Sequence, residues 1–278
     1  MKDKILEKII KIAKEDDRIR AAYIEGSRAN KRVKADEYQD YDIGFVVEDT
    51  TPFINDERFI KDLGQVSYMQ YPDRSPFLES DHKKSYGRLM QFKEGHRIDL
   101  AVKTKEAAFE SMDMYKILVD KDQIFNHKIQ DSDHMFWQEK PSQAEYSATL
   151  NEYWWCLNNI GKGIERNELP YVMDMLDTVL RPMVIRLFAY FVGAQNDFKV
   201  SIGKSGKYLK DYLDPKLYES YLSTYDKVDK DTLVKSVDRL CQIVDQVASE
   251  TAHLLDLEYN KQEAENSWNH FKSVVNKK

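Results

Sequence analysis

Gly26-Ser27, a polar loop of twelve residues, and Asp40-Tyr41-Asp42 at the head of the apolar run Ile43-Gly44-Phe45-Val46-Val47 are the residues best equipped for chemistry. Side chains of an extended strand alternate with period 2, so Asp40 and Asp42 share a face. The nearly unbroken apolar run behind them predicts an inner strand with its acids at one end. Such a pair suits Mg²⁺, which binds through one or two carboxylates together with substrate phosphates. Gly26 lets the backbone approach a triphosphate closely, and Ser27 offers an N–H and a hydroxyl as donors. Taken singly, each feature also reads as an ordinary turn or a solvated strand end.

Asp99 makes the pair a triad. Residues 86–92 and 96–102 are β-prone runs joined by Lys93-Glu94-Gly95, which is hairpin spacing with glycine in the turn. Ile98, Leu100 and Val102 alternate with Asp99, Ala101 and Lys103, placing Asp99 opposite an apolar stripe. Alone, Asp99 is a surface acid paired with Arg97 or Lys103 for little gain. With Asp40 and Asp42 on an adjacent strand, it completes a ligand set for two Mg²⁺ ions, as in polymerases and nucleotidyltransferases. A second role, general base on the attacking hydroxyl, competes with ligation, because a bound cation lowers the carboxylate's pKa. Ligand ranks above base.

The elements that must position these acids fall in the first half. A helix is expected near the start, where Ile5, Ile9 and Ile12 have helical spacing, followed by strand-like runs at 20–26, 41–47, 66–71, the hairpin around Gly95, and 116–119. From Ser142 the pattern changes to long helical periods with few β-prone runs. Pro141 and Ser142 fit a helix start, and Glu145 three residues on completes a capping box. The expected fold class is α+β: a mixed β-sheet flanked by helices over residues 1–140, then a helical bundle over 141–278, with the Lys277-Lys278 tail frayed.

In the second half, Glu152, Trp155, Asn159, Lys162 and Arg166 recur at spacings of three and four and share one polar helical face with a single aromatic. Tyr171, Asp174 and Arg181 repeat the pattern on a neighbouring helix. Solvent exposure is the ordinary fate of such charges, and bundle core the ordinary fate of an aromatic in Tyr153-Trp154-Trp155. Lys204 lies in the Gly/Ser-containing segment Ser201-Ile202-Gly203-Lys204-Ser205-Gly206, which lacks the first glycine of a P-loop. His82, His96, His127 and His134 have no ligand spacing.

The chain has 278 residues, 32% of them charged, and a net charge of -6, which argues against a general nucleic-acid binder. An acidic surface suits a small cationic substrate. Cys156 and Cys241 form no paired-cysteine pattern, so buried thiols are expected rather than disulfides or zinc. The charged start lacks the apolar core of a signal peptide, and no stretch reaches the ~18 uncharged residues of a membrane span. A cytoplasmic protein without membrane or nucleic-acid partners, and a monomer, is expected.

Gly26-Ser27, the spacing to Asp40-Tyr41-Asp42, and Arg97-Ile98-Asp99-Leu100 resemble the DNA polymerase β-type nucleotidyltransferase superfamily. Over most of the chain the sequence resembles the aminoglycoside 6-adenylyltransferase, or streptomycin adenylyltransferase, family. The strings that carry the likeness are Gly26-Ser27-Arg28-Ala29-Asn30, Gln39-Asp40-Tyr41-Asp42-Ile43, Leu89-Met90-Gln91-Phe92, Asn151-Glu152-Tyr153-Trp154-Trp155, Met173-Asp174-Met175-Leu176 and Ser201-Ile202-Gly203-Lys204. Lys31 departs from the pattern, standing where the family places proline.

The resemblance implies a nucleotidyltransferase domain followed by a helical substrate-binding domain. It implies transfer of AMP from ATP to a hydroxyl of a streptomycin-type aminoglycoside, at the 6-position, with release of pyrophosphate, two Mg²⁺ ions and antibiotic resistance as the outcome. Asp40, Asp42 and Asp99 would be catalytic and metal-binding. Gly26, Ser27, Arg28, Lys162 and Lys204 would bind nucleotide. Glu145, Glu152, Trp155, Asn159 and Asp174 would bind a cationic acceptor whose guanidinium groups favour carboxylate partners. Two rivals stand beside this reading: the same transfer to a lincosamide, another aminoglycoside or a protein, and a nucleotide-binding regulatory protein without catalysis.

Overall fold

The computed structural model describes residues 3–125, 129–130 and 133–276; His127 and the Lys277-Lys278 tail lie outside the described residues. The chain divides into two compact units, Met1–Met135 and Phe136–Lys278. Their composition is the expected α+β class, with a mixed sheet and helices in the first and helices in the second.

The first unit opens with α1 (Lys4–Glu15), whose N-cap Asp3 accepts from the N–H groups of Ile5 and Leu6. Ile9 and Ile12 on its inner face are buried. There follow β1 (Ile19–Ile24), β2 (Tyr41–Val47), the short α2 (Thr51–Ile54), β3 (Val66–Gln70), β4 (Ser85–Phe92), β5 (Arg97–Thr104), α3 (Lys105–Ser111), β6 (Tyr115–Asp120) and β7 (Ile129–Gln130). Among the described residues these strands form one sheet in the order β3-β4-β5-β2-β1-β6-β7. β2 runs parallel to β5, and the other neighbours are antiparallel.

β2 is the inner strand that its apolar run predicts. Ile43, Phe45 and Val47 enter the larger core with Ile98, Leu100 and Val102, whereas Val46 faces a smaller one built on Tyr23, Tyr115 and Phe125. Gly44 is required here: a Cβ would lie 2.0 Å from the Tyr23 ring, which crosses the strand at that point. The hairpin turns at Gly95, whose φ of +96° is reached readily by glycine alone. The helix α3 carries too short an apolar pattern to be read from sequence. Its signal is Thr104, which caps it by accepting from the Ala107 N–H.

The second unit consists of α4 (Gln143–Glu165), α5 (Leu169–Met175), α6 (Arg181–Gln195), α7 (Leu209–Tyr212), α8 (Pro215–Leu222), α9 (Lys230–Leu255) and α10 (Lys261–Val275). The capping box is present, with Ser142 and Glu145 exchanging bonds. α5 and α6 are one continuous helix interrupted by a π turn at Leu176–Leu180. Pro182 explains it: proline cannot donate to the carbonyl four residues back, and the Arg181 N–H reaches Leu176 O instead. Trp154, Phe188, Val247 and Phe271 belong to one core shared by α4, α6, α9 and α10, and both cysteines are buried and free. Among the described residues no helix is long and apolar enough to cross a membrane.

Candidate active site

The parallel pairing of β2 with β5 sets Asp42 directly opposite Asp99. One strand further, at the end of β1, the Glu25 N–H donates to Asp42 O at 2.8 Å, so Glu25, Asp42 and Asp99 form a row across three neighbouring strands. Asp40 lies just before β2. Gly26 follows Glu25 with φ +65°, and a Cβ there would sit 2.1 Å from Asp42 Oδ2. The Gly26-Ser27 turn therefore touches the acid row, and the Ser27 hydroxyl has no hydrogen-bond partner among the described residues.

The Arg28 guanidinium rests on its own loop and on Asp3. Nε donates to Asp40 O and Nη2 to Gln39 O, both at 2.9 Å; Nη1 reaches Asp3 Oδ2 at 3.2 Å, and the group lies 3.7 Å above the Tyr41 ring. Lys116 Nζ donates to Arg28 O at 2.8 Å. Together these bonds clip the loop between the Gly-Ser turn and Asp40.

A second arginine occupies the acids themselves. Arg97 grips Asp99 with Nε–Oδ1 2.8 Å and Nη2–Oδ2 2.7 Å, and its Nε stands 3.6 Å from Asp40 Oδ2. As the side chains stand, the described residues contain no three His, Cys, Asp or Glu grouped to hold one metal ion. The expected trio of free ligands is an ion cluster centred on Arg97, because closely spaced carboxylates repel and a planar guanidinium satisfies two of them. The donors are all carboxylate oxygens, the type Mg²⁺ takes, and a cation already sits among them.

Electrostatics follow from this crowding. Burial first, and then the charges of Asp99 and Asp40, push the Asp42 carboxyl above the ordinary range, against the pull of Arg97 and Arg28. Burial also raises Glu25, opposed by Lys103 and by the Asp113 N–H. The bidentate bond to Asp99 raises Arg97 further and keeps it charged. Glu25 escaped the sequence reading, whereas the Arg97–Asp99 pair is the alternative that reading set beside metal ligation. For Glu25 the available signal was its place two residues after Tyr23 on a strand, immediately before the glycine.

In the second unit, Trp155 is 76% exposed beside the buried Trp154. It lines a groove of about 550 Å³ between α4 and α10 with Asn158, Asn159, Lys162, Asn266 and His270. Trp155, Asn159 and Lys162 are thus brought together. Glu152 lies one turn away on α4 and accepts from Cys156 Sγ at 3.4 Å. The remaining candidates are separate: Glu145 closes the capping box, Asp174 is exposed on α5, and Lys204 is exposed in a short turn before α7.

The family model for streptomycin adenylyltransferase matches residues 1–274. The chain is 31% identical to an aminoglycoside 6-adenylyltransferase of Bacillus subtilis over 76% of its length and 75% of the relative's. It is 30% identical to one from Staphylococcus aureus, with 80% of each chain covered, and 29% identical to one from Campylobacter jejuni, with 90% and 88% covered. Its fold is similar to the crystal structure of an aminoglycoside 6-adenyltransferase from Bacillus subtilis, with TM-score 0.50, 24% identity and full coverage of both chains. With the acid row at the Gly-Ser turn and a family match over nearly its whole length, this chain belongs to the streptomycin adenylyltransferase family.

Proposed function

We propose that this adenylyltransferase, with ATP as co-substrate, moves AMP to a hydroxyl of an aminoglycoside, the 6-hydroxyl of a streptomycin-type acceptor, and thereby gives resistance. The observation that carries the proposal is the placement of Asp42 opposite Asp99, with Asp40 alongside, against the Gly26-Ser27 turn. The acceptor oxygen attacks the α-phosphorus of ATP, the bond from that phosphorus to the bridging oxygen breaks, and pyrophosphate leaves with the electron pair. The hydroxyl proton is released to solvent. The products are the adenylylated acceptor, pyrophosphate and a proton.

Asp40, Asp42 and Asp99 would hold two Mg²⁺ ions, Asp99 exchanging its bond with Arg97. Bound there, Mg²⁺ supplies positive charge that acidifies the attacking hydroxyl and offsets the triphosphate. Gly26 and Ser27 would approach the phosphates through an N–H and a hydroxyl, and Arg97, which stands on Asp99 and beside Asp40, would offset the charge that develops there. Arg28 holds Asp40 in place. Residues 1–140 would serve as the nucleotidyltransferase domain and 141–278 as the substrate-binding domain, in which Trp155 and Asn159 offer a stacking surface and amide donors, Glu152 and Asp174 offer carboxylates, and Lys162 and Lys204 serve the triphosphate.

Incubation with ATP, Mg²⁺ and streptomycin should add the mass of one adenylate to the drug, read by mass spectrometry alongside pyrophosphate release. Asp40→Asn should lower turnover by about 100-fold or more while the melting curve stays in place. Wild-type protein that leaves streptomycin unmodified, or an Asn variant of undiminished activity, would overturn the proposal.

A further inference from the structure

We infer that Glu25 positions the acceptor: its carboxylate receives a cationic group of that substrate, a guanidinium or an ammonium, beside the hydroxyl that reacts. The inference rests on the function proposed above and adds to it a residue at the far end of the acid row. Glu25, just past the end of β1, stands side by side with Asp42 of β2 and Asp99 of β5, and Arg97 holds one end only, through Asp99 and Asp40. At the other end, no lysine or arginine of the described residues comes within ion-pair distance of Glu25. Its carboxylate accepts a single long hydrogen bond, from the Asp113 N–H at 3.3 Å. That bond and the charge of Lys103, which stands beyond ion-pair distance, offset only part of the hydration this half-buried carboxylate loses, and an incoming cation supplies the rest.

A second observation lies on the same strand face. Tyr23, two residues earlier, is fully buried, and its hydroxyl has no hydrogen-bond partner. It is close enough to Glu25 for that charge to oppose ionisation of the phenol. Two under-satisfied polar groups therefore adjoin the reacting acids on the side away from Arg97. The metal set claims Asp40, Asp42 and Asp99, which leaves Glu25 as the carboxylate of this row available to substrate. A guanidinium matches it because its planar fork meets two carboxylate oxygens at once. An acceptor seated this way would bring a hydroxyl adjacent to its cationic substituent toward the Asp42 and Asp99 end of the row.

Steady-state kinetics of Glu25→Gln and Glu25→Asp with streptomycin, ATP and Mg²⁺ test this. The glutamine variant should raise KM for streptomycin about 10- to 100-fold, the loss of one charge-assisted contact, with KM for ATP and the Mg²⁺ midpoint within about twofold of wild type. The aspartate variant should recover part of that loss. An unchanged KM for streptomycin would overturn the inference alone. A shifted Mg²⁺ midpoint would instead make Glu25 a metal ligand, and parallel loss of every parameter with a lowered melting temperature would make it a structural residue; either outcome also overturns it. Wild-type protein that does not adenylylate streptomycin would bring down the proposed function and this inference together, before any variant is compared.

Discussion

The acid row depends on one atom that is missing. At Gly26 a methyl group would lie 2.1 Å from Asp42 Oδ2, and φ of +65° is a conformation that alanine adopts at a cost. Gly26→Ala should therefore displace Asp42 and reduce kcat by about 100-fold, the scale seen when reacting groups move by about 1 Å, with the protein still folded by circular dichroism. The placement of Asp42 and Asp99 was legible in sequence because strand alternation assigns each a face; Asp40 stands just before its strand, and the roles of all three were read with the family resemblance. Glu25 was not, because its importance arises from the neighbour that β2 supplies across the sheet. The bonds of the Arg28 guanidinium were not legible either, since only the folded loop brings Asp40 O and Gln39 O to it.

Strands and long helices were readable wherever burial imposes a period, which covers β1 to β6, α1 and α4. The adjacency of β2 and β5 was expected from the acids alone, but its parallel sense and register were not, since it joins segments separated by two other strands and no local pattern encodes it. The break at Leu176–Leu180 likewise needed the backbone, although Pro182 announces some disturbance of the helix. The contact of α10 with α4 is close: Phe271 is fully buried, and its ring lies 3.2 Å from where a Cβ on Gly161 would stand. Phe271→Ala should cost about 3–5 kcal/mol by leaving a cavity in that contact, read as a lower denaturant midpoint. A destabilisation below about 1 kcal/mol would show that the two helices close over the gap.

Over the whole molecule 48 acidic residues face 42 lysines and arginines, and acid stability depends on which carboxylates are held in their charged form. Arg18 binds Asp16 at 2.5 Å and Asp56 at 3.0 Å, and Arg58 binds Asp56 at 2.9 Å. Asp16 is held below the ordinary carboxylate range chiefly by Arg18, and Asp56 chiefly by Arg58. A depressed folded pKa contributes stability that is present above the unfolded value, about 3.9, and lost as pH falls through the folded one. Asp56→Asn should therefore lower the melting temperature at pH 7, and its deficit against wild type should shrink at pH 3 and below; a deficit independent of pH would exclude this origin. Trp154 and Trp155 carry a different consequence. All four tryptophans lie in the helical unit, and these two consecutive indoles, one sealed in the bundle and one open to water, report different events once Trp137 and Trp268 are replaced by phenylalanine: Trp154 reports loss of the fold by its spectral shift, and Trp155 meets a soluble quencher while the fold is intact.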